Sequence, residues 1–559
     1  MQISGAEILI KTLIEQNVDT VFGYPGGAVL PLYDALYNNS DKITHILTAH
    51  EQGASHAADG YARSTGKVGV CIATSGPGAT NLVTGIATAQ MDSVPMVAIT
   101  GNVPTTLLGK DSFQEVDITG VTMPITKHNY IVKKAGDLAG IVREAFFIAK
   151  EGRPGPVLID ITKNAMIDLC EYQKEEPREI KYLSNRLKEP NLDVAANMIE
   201  NSSRPMCYVG GGTIISNSSE RVRNFIDLID SPSCVSLMAC GAIRSDSDRY
   251  TGLVGMHGSK VSNVCINKCD LLIVIGARFS DRVISKASSF AKHARIIQID
   301  VDPAEIDKNI ETSCHLVGDI NVVLDRLMSK IKKQEHANWM QEVAGYKKRF
   351  PVLTNHESHR AYEIINALNE NLNEDDIVAT EVGQHQIWTA QFLNHKNPRR
   401  FLTSGGLGTM GYGTGAAIGA QMGNKDVRVV NVAGDGCFRM NSNELTTIAR
   451  YNLPVIVIVM NNHTLGMVRQ WQTLFYDKHY SQTTLDTPID WCMLAKAYGV
   501  ESMKLSIDDD PNEVIKKALS LNKPCVIDAQ IPIDDKVYPI VAPGSSIKDM
   551  IGFREENVN

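Results

Sequence analysis

The chain has 559 residues, with 55 Lys and Arg against 63 Asp and Glu, a formal net charge of −8, 43% hydrophobic residues and 21% charged. That length suits two to four domains with large cores, and the slightly acidic balance argues against nucleic acid as the main partner. The longest apolar runs, PVIVIVM and LLIVIGA, are of strand length and far short of the roughly 20 residues that cross a bilayer, so no membrane partner is expected.

The N-terminal MQISGAEILIKTLIEQ has the apolar spacing of an amphipathic helix. It lacks a charged stretch followed by a cleavable apolar one, and so reads as part of the fold. From Met1 to about Asn164, the runs TVFGY, ITHILTA, VGVCIAT, PMVAIT and PVLIDI alternate with helical patterns, the grammar of a doubly wound parallel sheet. EYQKEEPREIKYLSNRLKEP, residues 171–190, is dense in charge and predicts a solvated linker. A second block carries MCYVGGG, DLLIVIGAR and RIIQIDVD and fades in the polar helical stretch IKKQEHANWMQEVAGYKKRF. A third carries IVATEVG, VRVVNVAGDG, PVIVIVMNN and PCVIDAQI. The expected class is α/β: three doubly wound parallel-sheet domains, at residues 1–170, 190–335 and 360–559, with no short tandem repeat. Ligands of such sheets lie beyond the carboxyl ends of the strands. The 11 cysteines show no paired metal-ligand spacing: Cys265 and Cys269 are an isolated pair, and Cys71 and Cys525 sit in strand patterns. This usage fits a reducing, cytoplasmic setting.

GDGCFRMNSNELTTIARYNLPVIVIVMNN, from Gly434 to Asn462, is the most informative stretch. The strand VRVVNVA delivers Asp435 to its carboxyl end. NSNELTTIARYN predicts a helix capped by Asn441, with Glu444 as the capping-box partner. The strand PVIVIVM then places Asn462 at its own carboxyl end, 27 positions after Asp435. One carboxylate and one amide oxygen are too few for a calcium cage but suit Mg²⁺, which keeps ligands from water and a phosphorylated partner. Gly434 and Gly436 let a diphosphate approach the backbone. A strand-end turn with local caps is the bland alternative, and the strand, helix, strand spacing argues against it.

The stretch resembles the GDG…NN motif of thiamine diphosphate enzymes. The resemblance implies that Asp435, Asn462 and the backbone carbonyl of Thr464 hold the Mg²⁺ diphosphate, with Cys437, Leu465, Gly466 and Met467 in the flanking segments. It implies that Glu51, in ILTAHEQGASHAADGYAR, hydrogen-bonds N1′ of the aminopyrimidine and so activates the cofactor. Alone, a Glu in the first turn of a helix would read as a complement to its dipole. In GGLGTMGYGTGAA, residues 405–417, the resemblance implies that Met410, two positions after Gly408, is the apolar wedge that keeps the cofactor bent. Gly383, Gln384, His385 and Gln386 of GQHQ would reach the diphosphate. Active sites of that family lie between subunits, and Glu51 and Asp435 fall in different predicted domains, so a homodimer or homotetramer is implied.

FGYPGGAVLPLYDAL, HEQGASHAADGYAR, SGPGATNLVTGIATA, SFQEVDITG, GRPGPVLIDITK, GMHGS, GARFSDRV, GQHQIW and MVRQWQTLFY span nearly the whole chain. Together they resemble the catalytic subunits of the acetohydroxyacid synthase (acetolactate synthase) family. Members decarboxylate pyruvate and join the two-carbon unit to pyruvate, giving acetolactate, or to 2-ketobutyrate, giving acetohydroxybutyrate, on the way to valine, leucine and isoleucine. The resemblance places Gly27 beside the thiazolium and Phe113, Gln114 and Lys163 in the substrate pocket. Arg278 would read the acceptor carboxylate and Trp471 would cover its alkyl end. Read in isolation, an Arg after a strand is usually a surface charge and such a Trp usually core.

The middle block resembles that family's FAD domain, implying a flavin lined by Gly210, Gly211, Gly212, Met256, His257, Gly276, Arg278, Asp300, Gly318 and Asp319, with Arg153 from the first domain. MACGAIRSD departs from the family pattern, with Ala239 and Arg244 where a glycine and a proline are usual. A separate small regulatory subunit is also implied. The rival readings are the flavin-free catabolic acetolactate synthase, against which RQWQ and GARFSDR weigh, a simple 2-ketoacid decarboxylase, and a non-catalytic scaffold.

Overall fold

The computed structural model describes residues 2–180, 187–351 and 359–552, so part of the predicted linker, residues 181–186, lies outside the described residues. Among the described residues, three six-stranded sheets with parallel pairing frame the molecule, beside two small two-stranded antiparallel ones. In the first, the strands lie in the order Thr44–Leu47, Thr20–Gly23, Gly69–Ala73, Met96–Asn102, Pro156–Thr162, His128–Val132. In the third they lie in the order Phe401–Leu402, Ile377–Thr380, Val429–Gly434, Val455–Asn461, Cys525–Gln530, Glu501–Leu505. Counted along the chain, both sheets have the order 2-1-3-4-6-5. The middle sheet differs: Tyr250–Leu253, Ser233–Val235, Pro205–Val209, Leu271–Ile275, Arg295–Asp300, Cys314–Val317, which is 3-2-1-4-5-6.

The central strands are the apolar runs of the sequence, because a parallel strand covered on both faces is apolar throughout. The strands that the sequence did not announce are mostly peripheral. His128–Val132 and Glu501–Leu505 are edge strands with polar, partly exposed positions, while Ser233–Val235 has three residues and Phe401–Leu402 two. The first linker residues are not free in solvent: Leu169–Glu171 pairs antiparallel with Gln2–Ser4, and Glu175 N donates to Glu15 at 3.0 Å. The helix Ala337–Arg349 packs on the middle sheet, with Trp339 buried and its Nε1 donating to Pro205 O at 2.9 Å.

The first and third sheets meet through two helices, Glu51–Thr65 and Gly413–Gly423, rich in small residues. Their backbones approach so closely that a Cβ on Gly60 would stand 2.2 Å from Ala416 O, and one on Gly419 would stand 1.8 Å from Ala57 O. Beside this seam Arg63 pairs with Asp59 at 2.5 Å and with Asp92 at 2.9 Å. The Tyr412 hydroxyl donates to Asp59 at 2.7 Å. The glycines of GASHAADG and GTGAAIGA thus set the position of the helix that Glu51 begins. All 11 cysteines are free thiols, and no helix among the described residues is long and apolar enough to cross a membrane.

Candidate active site

Strand Val429–Gly434 ends where helix Asp435–Asn441 begins, which puts Asp435 in the first turn of that helix. Strand Val455–Asn461 is its neighbour in the sheet, pairing Gly434 with Met460, so Asp435 and Asn462 emerge side by side at the carboxyl edge. Asp435 is 3% exposed, and its Oδ2 has no hydrogen-bond partner. Burial pushes its carboxyl up to about 7. Asn462 Oδ1 accepts from Thr464 N at 3.3 Å, while the Thr464 hydroxyl donates to Thr483 O at 2.8 Å. The site is walled closely. A Cβ on Gly434 would lie 2.8 Å from His385 Nδ1, one on Gly436 2.5 Å from Leu465, and one on Gly466 2.0 Å from Gln384 Oε1. His385 is buried, which holds its imidazole down to about 3, and its Nε2 also lacks a partner. The Cys437 thiol donates to Val382 O at 2.9 Å. An orphaned carboxylate oxygen in a glycine-lined recess is what a cation carrying a phosphate would satisfy.

Two expectations for this stretch are corrected. The helix starts at Asp435, so Asn441 closes it rather than capping the next one, and the Asn441 amide donates to Gly411 O. Glu444 makes no capping box with its own segment. Fully buried, it accepts from Ala49 N and His50 N, both at 3.1 Å, in the first block. Local pattern cannot distinguish an N3 glutamate from one whose partners lie 394 or 395 positions away.

Gly27, Glu51 and Lys163 follow the carboxyl ends of three strands of the first sheet, and Phe113 and Gln114 lie in the longer loop after a fourth, Met96–Asn102. Glu51 opens the helix Glu51–Thr65, whose N-cap His50 accepts from Gln52 N at 3.0 Å. Glu51 Oε2 accepts from the Asn81 amide at 2.9 Å. Asn81, in the quoted SGPGATN, was not singled out from the sequence. Gln114 packs on Gly76, with a positive φ of 58°. Gly27 and Lys163 are exposed, and Phe113 is 88% exposed. No hydrogen bond among the described residues joins this group to the Asp435 group.

In the middle sheet, the strand order reverses between Pro205–Val209 and Leu271–Ile275, which are neighbours. A cavity of about 1540 Å³ opens there. It is lined by Gly211, Gly212, Met256, His257, Gly276, Arg278, Asp300, Gly318 and Asp319, by Arg153 from the first block, and by Gly383, Gln386, Gly408, Met467 and Trp471 from the third. Gly210 lies beneath: a Cβ there would stand 2.2 Å from Gly276 O. Arg153 crosses between blocks, donating to Ser93 Oγ at 2.8 Å and to Glu305 at 2.9 Å. Burial raises Asp300 to about 6 and lowers His257 to about 4. Neither Ala239 nor Arg244 lines the cavity. Ala239 is core, and Arg244 lies outside, paired with Asp246 and Glu374. Trp471, edge to face with Phe475, lines the cavity and packs against the cluster of Met256, Ile540 and Val541. Lys127, Lys308 and Arg399 also line the cavity, with no motif in the sequence to mark them.

The chain matches three family models: thiamine pyrophosphate enzyme, N-terminal TPP binding domain, over residues 3–121; central domain, over 192–327; and C-terminal TPP binding domain, over 381–529. It is 44% identical over 564 residues to the acetolactate synthase large subunit of Pyropia yezoensis, covering 98% of this chain and 95% of that one. To the acetolactate synthase large subunit of Parasynechococcus marenigrum (strain WH8102) it is 45% identical, covering 99% and 91%. To the acetolactate synthase of Mycobacterium bovis it is 44% identical, covering 98% and 91%.

Proposed function

The chain belongs to the acetolactate synthase large-subunit family of thiamine pyrophosphate enzymes, and from that premise we propose that it decarboxylates pyruvate and joins the two-carbon unit to a second 2-ketoacid. With pyruvate as acceptor, two molecules give one acetolactate and one CO₂; with 2-ketobutyrate the product is acetohydroxybutyrate. This is the first common step toward the branched-chain amino acids. The observation that carries the reading is the Asp435 recess at the strand ends of the TPP-binding domain, with its orphaned carboxylate oxygen.

Thiamine diphosphate, when bound, supplies the acidic carbon and electron sink that decarboxylation of a 2-ketoacid requires. The chain would hold it through Mg²⁺ on Asp435, Asn462 and the Thr464 carbonyl. No group of three or more His, Cys, Asp or Glu among the described residues is arranged to hold a metal, so the ion would draw its other ligands from the diphosphate and water. Glu51 would share a proton with N1′ of the ring, and Met410 would set the ring's angle. Phe113, Gln114, Gly27 and Lys163 would frame the donor.

Gly27, Phe113 and Lys163 are exposed at the edge of the first sheet, while Asp435 is buried at the edge of the third. We therefore assign the complete site to an interface between two copies, making the enzyme a homodimer at least, with a tetramer and a separate regulatory subunit as further assembly. The free thiols favour a cytoplasmic enzyme.

For FAD, the support is the strand order 3-2-1-4-5-6, whose reversal point is where dinucleotides bind, and a cavity walled by Gly211, Gly212 and Gly276. Purified protein is expected to be yellow and to keep its flavin oxidised during turnover, since the reaction moves no net electrons. Stripping the flavin should abolish product formation. Full activity without flavin would instead favour the catabolic type.

Acceptor choice tests the Trp471 wall of the cavity. Pyruvate and 2-ketobutyrate differ by one methylene, worth about 1 to 3 kcal/mol of apolar contact. Trp471→Leu removes the flat surface that contact would use. It is expected to leave pyruvate decarboxylation nearly unchanged and to cut the preference for 2-ketobutyrate by roughly tenfold. Arg278→Gln should weaken both acceptors, because each carries the carboxylate that Arg278 would pair with. The ratio of the two products from mixed ketoacids reads both effects, and an unchanged ratio in Trp471→Leu would make the indole structural.

A further inference from the structure

The turn that leads into Glu51 is held from outside its own domain. Of the four backbone amides from Leu47 to His50, only Thr48 N bonds within its own sheet, to Gly23 O at 3.3 Å. Leu47 N donates to the Tyr451 hydroxyl at 2.8 Å, Ala49 N to Glu444 Oε2 at 3.1 Å and His50 N to Glu444 Oε1 at 3.1 Å. The Thr447 hydroxyl completes the set on Oε2 at 2.7 Å. Glu444 is 0% exposed. The opposite wall is Gly53, in the first turn of the Glu51 helix, where a Cβ would stand 2.0 Å from Glu444 Oε1. Residue 53 is thus kept small by the carboxylate.

We propose that Glu444 is a positioning residue for Glu51: its carboxylate, reaching from the segment that follows the Asp435 helix, fixes the turn that aims the Glu51 side chain. It does not touch the Glu51 carboxylate, whose own partner is Asn81, so it acts through the backbone. The chemistry needs a carboxylate. Two oxygens accept two N–H groups, whereas a glutamine turns one acceptor into a donor facing a donor and leaves a buried amide unpaired. A turn released by even 1 Å would be costly at a site where proton sharing depends on alignment, on the order of a hundredfold.

This inference rests on the reading of Glu51 as the activating carboxylate, and the experiment separates the two. Hydrogen–deuterium exchange at C2 of bound thiamine diphosphate is measured for the parent, Glu51→Gln, Glu444→Gln and Gly53→Ala. Mg²⁺ and thiamine diphosphate affinity, and amide exchange of the segment 47–50 in the cofactor-free protein, are measured alongside. Glu444→Gln is expected to slow C2 exchange about tenfold or more, to speed amide exchange at 47–50, and to leave cofactor affinity within about twofold. Gly53→Ala keeps Glu444 and presses a methyl group onto its carboxylate, so it should reproduce the pattern. C2 exchange at the parent rate in either folded variant, with Glu51→Gln slow, overturns the positioning role. Parent-rate exchange in Glu51→Gln overturns the reading of Glu51 and the inference with it. Loss of cofactor affinity in step with loss of exchange would make Glu444 a general structural strut and also overturns the proposal.

Discussion

Replacing Glu51 with Gln is expected to lower acetolactate formation by roughly a hundredfold or more while leaving the fold and Mg²⁺ diphosphate affinity in place. The side chains differ by one acid function and have nearly the same volume, and Glu51 begins its helix in a half-buried position where an amide is tolerated. The Asn81 amide that donates to Oε2 can donate to a glutamine oxygen as well. What is lost is the proton that the carboxyl would share with the ring nitrogen. Cofactor titration should therefore give the parent affinity while C2 exchange and turnover collapse together. A Glu51→Gln protein that keeps both rates would place activation elsewhere.

Asp435→Ala acts on the other half of the site. The carboxylate is buried at a strand end with one oxygen unpartnered, so its removal should weaken Mg²⁺ and thiamine diphosphate together, on the order of a hundredfold, with partial recovery at high concentrations of both. The pH dependence follows from the raised carboxyl. Without metal, the folded protein holds the Asp435 proton up to about pH 7, whereas the unfolded chain releases it near the ordinary 3.8. The folded state binds more protons between those values, and this group's contribution to stability falls as pH rises through the window. Mg²⁺ reverses the sign by displacing the proton, so stabilisation by the metal should grow from pH 6 to pH 8 in the parent and lose that dependence in Asp435→Ala. Thermal unfolding with and without Mg²⁺ and thiamine diphosphate reads this. Equal metal affinity in parent and variant would remove Asp435 from the site.

The sequence carried the central strands and the Asp435–Asn462 pairing because both are short-range patterns. An apolar run between glycines predicts a buried parallel strand, and a 27-residue strand–helix–strand interval predicts two adjacent strand ends. Edge strands such as Glu501–Leu505 escaped because one flank meets solvent and their apolar run is broken. Glu444 was misread for a different reason: its spacing from Asn441 satisfied a local rule, and the partners that won are in the first block. The strand order of the middle sheet, which supports a dinucleotide there, is set by which helices cross over which face and is not written in any one segment. Likewise nothing local marks Asn81, whose importance comes only from what it faces. Phe113 and Lys163 were legible through resemblance alone, since in one chain they stand open to solvent.

The proposed activity joins two ketoacids at a thiamine diphosphate site. The direct measurement supplies the purified protein with pyruvate, Mg²⁺, thiamine diphosphate and FAD, and quantifies CO₂, acetolactate and acetaldehyde, with 2-ketobutyrate added in a parallel run. One acetolactate per CO₂ is expected, with no accumulation of acetaldehyde, and with acetohydroxybutyrate as a second product when 2-ketobutyrate is present. Release of CO₂ with acetaldehyde and no acetolactate would mean a decarboxylase without an acceptor site, and failure to consume pyruvate would rule out the proposed activity altogether.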